Sequence, residues 1–553
     1  MALASIVVIP ARDEEQHIPG CLAALGAQTV PREKFEVIVV LDACTDRTAD
    51  AARRAAGELS LHLSLLDGPG AGAGAARRAG MDLAAGRLLA LGIDDGLIAC
   101  TDADSRPARD WLARQLAHVR AGAHVVAGLI ELAPEESKRL APEVLQRRER
   151  DAAGRLARVR RGDPSAAHHH FAGASIGVTA GVYRAVGGLE PVTALEDAAF
   201  AQRLAQAGIP ILRTDDVRVR TSARHCGRAA RGLSVDLAVS SWAAERRYQA
   251  TAFPPSRLRA QKLATSVGVV IPTKQCADTL GGVLTGTVGP LCDAGVIDEV
   301  LVIDAHSADG TAEIGRAAGA TVIEQDDVLP EYGPALGKGD AMWRALHVCD
   351  TDIVCFLDGD TANPDPCHLQ GLMGPLLADP SLQLVKGAFD RPLLTGGVAL
   401  PNEGGRVTEL MARPLLNLHE PRLAGFAQPL AGEFAGRREL FESIPFPVGY
   451  GIEIAVLIDA LHRHGLRALA ECQLGERQNR HQPLRALGEM AYAVLAAIER
   501  RIGSERSPIG GHYLRPWEDC AIAEVAVTER PPLATLRAAA DFATERVADR
   551  QRY

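Results

Sequence analysis

Short runs of β-branched and aliphatic residues punctuate this chain, each closed by proline or an acidic turn and followed by an alanine-rich stretch of helical length. Residues 5–10 read SIVVIP and residues 266–272 read SVGVVIP, and each predicts a strand ended by its proline. Thirty-two residues after Pro10 and after Pro272 an aspartate closes a second apolar run: Asp42 in VIVVLDACTDRTADAARRAAG and Asp304 in VLVIDAHSADGTAEIGRAAG. Equal spacing, equal flanks and a threonine, Thr48 or Thr311, near the start of the next helix mark a duplicated frame.

The frame continues. GAGAARRA at 72–79 stands against GKGDAMWRA at 337–345, each a glycine-rich loop entering a helix. CTDADSRPARDW at 100–111 then places Asp102 and Asp104 where FLDGDTANPDP at 356–366 has Asp358 and Asp360. Each half therefore predicts strand, helix, strand, helix, strand, helix, strand and an acidic pair, the alternation that builds a parallel sheet. The fold expected is α/β, with two tandem Rossmann-like domains. Ligands of such sheets sit at the carboxyl ends of strands, where Pro10, Asp42 and Asp102, and Pro272, Asp304 and Asp358, are expected to stand.

Residues 236–262 read as an amphipathic helix running into a proline-containing linker. The expected organisation is a first domain over 1–240, a helical linker over 241–262, a second domain over 263–500 and a helical tail over 501–553. The tail, with PIGG, a mixed stretch and a closing helix, is expected to pack or make dimer contacts and to carry no chemistry.

Composition agrees with that division. At 553 residues the chain is too long for one core, and 47% apolar with 23% charged residues is an ordinary globular balance. A net charge of -9, from 60 basic and 69 acidic residues spread along the chain, gives no electrostatic case for nucleic acid. The 11 cysteines show no CxxC or zinc spacing, so reduced thiols and a cytoplasmic location are expected. The start of the chain has no basic leader, and no apolar run of about 18 residues predicts a transmembrane segment.

Taken alone, FLDGDTANPDP reads either as a strand ending in a polar turn or as two carboxylates on one face that share a hard cation. Its echo in TDADS, at the same place in the repeated frame, favours the functional pair. Asp42 or Asp304 is then placed to accept hydrogen bonds from a ribose or base, and the glycine loops let backbone N–H groups approach phosphate. The aspartate pair would hold magnesium or manganese across a diphosphate. A nucleoside-diphosphate sugar uses all three features. Two other patterns compete: His168, His169 and His170 read as a metal cluster or as a loop beside an acceptor pocket, and GPGAGAGAARR at 68–78 fits a dinucleotide fingerprint but follows a later strand than the first.

On these residues both halves resemble nucleotide-sugar glycosyltransferases of the GT-A fold. Residues 1 to about 235 resemble family 2 enzymes through VVIPARDEE, Arg77 after the glycine loop, TDADS, HHHFAGASIGV and LEDAAFAQRL, with TSARHCGR resembling a basic phosphate-side loop. The resemblance implies an inverting transfer with Asp197 as the base, Glu196 as its neighbour, Arg77 among the donor-binding residues and Asp102 and Asp104 as metal ligands.

The second half resembles the glucosyl-3-phosphoglycerate synthases, retaining enzymes, through GKGDAMWRAL, FLDGD, DPSLQLVKGAFDRPL, GGRVTELMARPLL, QPLAGEFAGRRELFESIPFPVGYGIEIAVLID and LGERQNRHQPL. The resemblance implies that Gly405, Arg406, Val407 and Thr408 bind 3-phosphoglycerate, and an arginine with backbone N–H groups and a hydroxyl suits a phosphate. It implies Lys338 against the diphosphate or sugar, Glu453 against sugar hydroxyls, and Leu430 with its backbone at the reacting face. Asp358 and Asp360 would hold the cation. The family's metal-binding histidine, within R-x-H-x-N, has Asn479 at its ungapped position here and His481 two residues later, so either completes the site. The opening IPTKQCAD also departs from the family's acidic pattern, which bears on base recognition through Lys274, Gln275 and Cys276. Three functions follow as alternatives: two active transferases, one transferase beside a silent binding or scaffold half, and nucleotidyl transfer on the same fold.

Overall fold

The computed structural model describes residues 5–190, 196–227, 231–395, 398–400, 404–478, 483–502, 512–515 and 521–537. The chain divides into two compact units, Met1–Ser241 and Trp242–Tyr553.

In the first unit the strands are β1 (Ser5–Ala11), β2 (Phe35–Leu41), β3 (Leu63–Asp67), β4 (Leu97–Cys100), β5 (Ser105–Pro107), β6 (Val125–Leu132), β7 (Ile176–Thr179) and β8 (Leu212–Thr221). They form one mixed sheet in the order β3-β2-β1-β4-β7-β6-β8-β5. β1 runs parallel to β2 and β4, and β7 is antiparallel to both β4 and β6. Alternation along the strands explains the continuous apolar runs. Val7, Ile9, Val37 and Val39 enter one core, while Ile6, Val8, Ile38 and Val40 enter another on the opposite face. All eight are fully buried, and each stabilises the fold by about 1.5–3 kcal/mol.

The second unit contains β9 (Arg247–Gln249), β10 (Val267–Thr273), β11 (Glu299–Asp304), β12 (Thr321–Glu324), β13 (Ile353–Phe356), β14 (Leu384–Asp390), β15 (Leu393–Thr395), β16 (Val398–Leu400), β17 (Phe434–Arg437), β18 (Phe446–Pro447), β19 (Leu469–Glu476), β20 (His512–Arg515), β21 (Ala521–Glu524) and β22 (Glu529–Arg530). Its main sheet has the order β12-β11-β10-β13-β17-β14-β19-β9. The first seven positions repeat the pairing of the first unit, with β17 antiparallel between β13 and β14. The duplicated frame of the sequence is therefore a duplicated sheet, and the acidic pairs follow equivalent strands, β4 beside β1 and β13 beside β10.

Two expected segments differ in structure. The stretch 241–262 is more than a helical linker: between the helices Leu233–Glu245 and Pro255–Lys262 it supplies β9, which pairs in parallel with β19. Ala250, Phe253 and Leu258 enter the second core, which ties this stretch to the second unit. In the tail, β20 and β21 form an antiparallel pair and β22 pairs with β18, so the stretch before the closing helix is largely strand, while residues 533–537, where that helix was expected, are helical. Residues 538–553 of the expected closing helix lie outside the described residues. Among the described residues no helix is long and apolar enough to cross a membrane, and the ten described cysteines are all free thiols.

Candidate active site

In the second unit the site is built from the segments that follow β13, β14 and β19 and from two helix starts. The helix Lys338–Val348 begins directly after Gly337, and Lys338 points its ammonium at two carboxylates. Nζ lies 2.6 Å from Asp358 Oδ1 and 2.9 Å from Glu453 Oε1. Glu453 is in the first turn of the helix Ile452–His464, and Asp358 follows β13. Close packing of backbone makes this possible. A side chain at Gly339 would collide with the carbonyl of Pro447, and one at Gly432 would collide with both Asp358 and Lys338.

Arg477, just past β19, holds the other side of the pair. Its Nη2 donates to Asp358 Oδ2 at 3.3 Å and to Thr361 Oγ1 at 2.9 Å, and it lies 3.9 Å from Asp360 Oδ1. The same guanidinium pairs with buried Glu433 and stacks over Phe389 at 5.4 Å. Burial pushes the Asp358 carboxyl upward, but Lys338 and Arg477 outweigh it and hold Asp358 below the usual carboxylate range. The same carboxylates hold the Lys338 ammonium above its ordinary range against its own burial. Asp360 moves the other way, raised by burial and by the negative charge of Asp358.

That repulsion is a test of fit for a divalent cation. Two carboxylates two residues apart, one of them raised by the other's charge, are relieved by a cation between them, and hard oxygen donors suit magnesium or manganese. Among the described residues no group of three or more His, Cys, Asp or Glu side chains is placed to hold a metal ion. Both candidates for the further ligand, Asn479 and His481, lie outside the described residues.

The acceptor-side candidates follow β14. Gly405 has a φ of +70° and Thr408 is buried at the start of the π-helical turn Thr408–Ala412, with Arg406 and Val407 half-buried between them. Gly404 N–H donates to the carbonyl of Arg391 at 2.9 Å, which brings a second arginine beside this loop. The Arg391 guanidinium stacks on Phe389 at 4.8 Å, and burial holds it below its ordinary range against the opposing charges of Asp358, Glu453 and Asp360. Leu430 is half-buried, and the next carbonyl, that of Ala431, accepts from the fully buried Lys386 at 2.6 Å.

The first unit solves the same problem with different residues. Its glycine loop ends at Gly72 and the helix Ala73–Ala90 follows, so exposed Ala73 occupies the place of Lys338. Arg77, one turn further along that helix, supplies the missing cation. Its Nη2 lies 2.6 Å from Asp102 Oδ1 and its Nη1 pairs with Glu196. Glu196 opens the helix Glu196–Gln206, as Glu453 stands in the first turn of its own. Arg224, in TSARHCGR past β8, pairs with Asp104 Oδ2 at 2.9 Å and with Glu14 Oε1 at 2.6 Å. It therefore holds the acidic pair from the side that Arg477 holds in the second unit. Burial, then the charge of Asp102, pushes Asp104 up to about 6. Asp197 accepts from the N–H of Ala198 at 2.8 Å, and burial raises its carboxyl.

Some expected residues are placed at the site but committed within the protein. Asp42 accepts from Gly70 N–H at 2.7 Å and Gly72 N–H at 2.9 Å, which fixes the glycine loop. Asp304 accepts from Thr273 Oγ1 at 2.7 Å and from Ser307 N–H at 2.7 Å and Oγ at 2.8 Å, and both aspartates are buried. A ligand hydroxyl would share these oxygens with the loop. Pro10 and Pro272 stand at the next-to-last positions of β1 and β10. In the histidine run, His168 Nε2 contacts Thr214 O at 2.9 Å and its Nδ1 accepts from His170 N–H at 3.1 Å, and His170 Nδ1 accepts from Ile130 N–H at 3.3 Å. Burial lowers His169 to about 4 and His170 to about 3.

With this geometry described, comparison with known proteins adds the family. The profile of glycosyl transferase family 2 matches residues 6–179 and again residues 268–399, one stretch in each unit. The chain belongs to glycosyl transferase family 2. The glucosyl-3-phosphoglycerate synthase of Mycolicibacterium smegmatis is 40% identical over 299 residues, covering 54% of this chain and 98% of the relative. The synthase of Petrotoga mobilis is 44% identical over 207 residues, 37% of this chain and 64% of the relative. Among solved structures, mannosyl-3-phosphoglycerate synthase from Rubrobacter xylanophilus is 43% identical with a TM-score of 0.49, covering 53% of this chain and 98% of that one. Glucosyl-3-phosphoglycerate synthase from Mycobacterium tuberculosis in complex with Mn2+, UDP and phosphoglyceric acid is 39% identical with a TM-score of 0.46, covering 51% of this chain and 95% of that one.

Proposed function

We propose that the second unit transfers glucose from a nucleoside-diphosphate glucose to 3-phosphoglycerate with retention at the anomeric carbon. The observation that carries this reading is the cluster of Lys338, Asp358 and Glu453 at the carboxyl end of β13. The chain's identity with the Mycolicibacterium smegmatis synthase supports it. Asp358 and Asp360 would hold the divalent cation, with Asn479 or His481 as a further ligand, and a cation bound there would supply positive charge against the departing diphosphate. Lys338 adds a second positive charge on the same group. Glu453 orients Lys338 and accepts hydrogen bonds from sugar hydroxyls, and the backbone at Leu430 lines the reacting face. Gly405, Arg406, Val407 and Thr408 seat the acceptor phosphate, with Arg391 beside them. The acceptor proton leaves to a diphosphate oxygen on the same face, so a dedicated base is not required, in keeping with GIEI at 451–454 where the first unit has Glu196-Asp197.

The first unit is read as an inverting transferase with a different acceptor. Asp197 takes the acceptor proton, and its raised carboxyl is closer to the pH at which a general base works best. Asp102 and Asp104 would hold its cation, and Pro10, Asp42 and Arg77 line its donor site, as Pro272, Asp304, Lys338 and Leu430 line that of the second unit. The alternative is that one half only binds or scaffolds, which Ala73 in place of a lysine allows for the first unit and IPTKQCAD at 271–278 allows for the second. Arg77 in contact with Asp102 and Glu196 favours an active site instead.

A donor panel decides the matter. With magnesium or manganese, UDP-, GDP- and ADP-glucose and GDP-mannose are offered with 3-phosphoglycerate, and product and nucleoside diphosphate are followed. Glucosyl-3-phosphoglycerate with release of a nucleoside diphosphate is expected, retained in Asp104→Ala. Release of pyrophosphate would support nucleotidyl transfer instead, and a mannosyl product would overturn the choice of sugar.

A further inference from the structure

The described end of the tail reaches the donor side of the second site, which neither the glycine loop nor the acidic pair explains. β22 pairs with β18, and the carbonyl of Thr528 accepts from Val448 N–H at 3.1 Å. From that strand Arg530 extends to Asp340, two residues after Lys338 on the same helix. Arg530 Nε lies 2.9 Å from Asp340 Oδ1 and Nη2 lies 2.7 Å from Oδ2, a bidentate pair. Asp340 is fully buried, and its Oδ2 also accepts from Leu336 N–H at 3.0 Å. The carboxylate thus joins the tail to the backbone that leads into Gly337 and Lys338.

A second cation is present but does not replace the first. Arg344 Nε stands 3.3 Å from Asp340 Oδ1, and its terminal nitrogens go to the carbonyls of Val328 and Gly333. Arg530 therefore provides the shorter contacts. Two further contacts fix the strand on the helix: Trp343 Nε1 donates to Pro531 O at 2.9 Å, and the Arg530 guanidinium lies 5.7 Å over the Trp343 ring and 5.6 Å over Tyr332.

We propose that Arg530 is a positioning residue for donor binding: through Asp340 it sets the start of the helix that carries Lys338 and so the approach to the nucleotide-sugar diphosphate. This rests on the transferase reading of the second unit. A residue that only stabilised the fold would lower the active fraction and leave the affinities alone. A positioning residue changes the donor and spares the acceptor, which sits on the loop at 404–408.

The experiment measures KM for the donor and for 3-phosphoglycerate, kcat and Tm in the full chain, using whichever glucose donor the wild type turns over. Arg530→Met is expected to raise donor KM by about tenfold or more and leave acceptor KM within about twofold. Arg530→Lys, which keeps charge and loses the bidentate geometry, is expected to fall between. Should Arg530→Met not fold, Arg530→Lys and Trp343→Phe carry the test, each expected to raise donor KM by a few-fold with acceptor KM unmoved. Unchanged donor KM with a lowered Tm, or equal changes in both KM values, would overturn the positioning role. Failure of the wild type to glucosylate 3-phosphoglycerate from any donor would instead overturn the reading of the unit, and the inference with it.

Discussion

Lys338 Nζ stands 2.6 Å from Asp358 Oδ1, and Gly432 is the residue that leaves room for the pair. A methyl group at this position would press on both side chains at once, and neither is free to swing away, since Glu453 holds the lysine and Arg477 the aspartate. Gly432→Ala is therefore expected to cost on the order of 10²-fold in kcat, as small displacements of positioned groups do, with only a modest loss of Tm. An alanine variant with wild-type kcat would mean that the pair is not part of the reacting geometry.

Arg77 carries the corresponding prediction for the first unit. Its removal leaves Glu196 buried without its cation, and Arg77→Ala is expected to destabilise this unit by on the order of 3 kcal/mol in urea denaturation. Ala73 and Lys338 are both the first residue of their helices, so Ala73→Lys in the Arg77→Ala background restores a cation from one turn earlier. Recovery of at least about half of the lost stability is expected. No recovery would contradict the equivalence of the two cations. Glucosylation of 3-phosphoglycerate, carried by the other unit, should be unaffected in either variant.

Lys386 predicts a pH dependence. Burial lowers its ammonium from the ordinary 10.5 to about 7, with the charge of Lys338 adding to the effect and Glu453 and Asp358 opposing it. Between those values the unfolded chain binds one more proton than the folded chain, so the stability contributed here rises with pH. The penalty is fullest below about pH 7 and relieved toward about pH 10. Lys386→Met removes it. Relative to wild type, the variant should be more favoured at about pH 6 than at about pH 9, by on the order of 1–3 kcal/mol in urea denaturation. A difference that does not vary with pH, or one that grows as pH rises, would show that Lys386 is not held near neutrality.

How much of this was legible in the sequence follows from distance along the chain. The strands, the duplicated frame and both acidic pairs are local patterns with a second copy to confirm them, and they stand where the spacing put them. Lys338 and Glu453 sit in recognisable segments of the family. Arg477 and Arg224 were missed as ion-pair partners because their meaning is tertiary: Arg477 meets Asp358 across 119 residues and Arg224 meets Glu14 across 210. Arg530 lies 190 residues from Asp340, in the mixed stretch before the expected closing helix, and nothing there signals a two-residue strand. Asp42 and Asp304 show the converse. Their positions were evident, but their hydrogen bonds to the glycine loop and to Thr273 and Ser307 could be seen only once the chain was folded.

The central claim is that Asp358 and Asp360 serve glucosyl transfer to 3-phosphoglycerate. The most direct measurement is the initial rate of glucosyl-3-phosphoglycerate formation by wild type and by Asp360→Ala, at equal folded concentration and saturating magnesium or manganese. Asp360 is half-exposed at the cleft, so the substitution should leave Tm nearly unchanged while the rate falls by at least about 10²-fold, the scale expected when charge stabilisation of the leaving group is lost. Equal rates in the two proteins, or no product from either, would contradict the account.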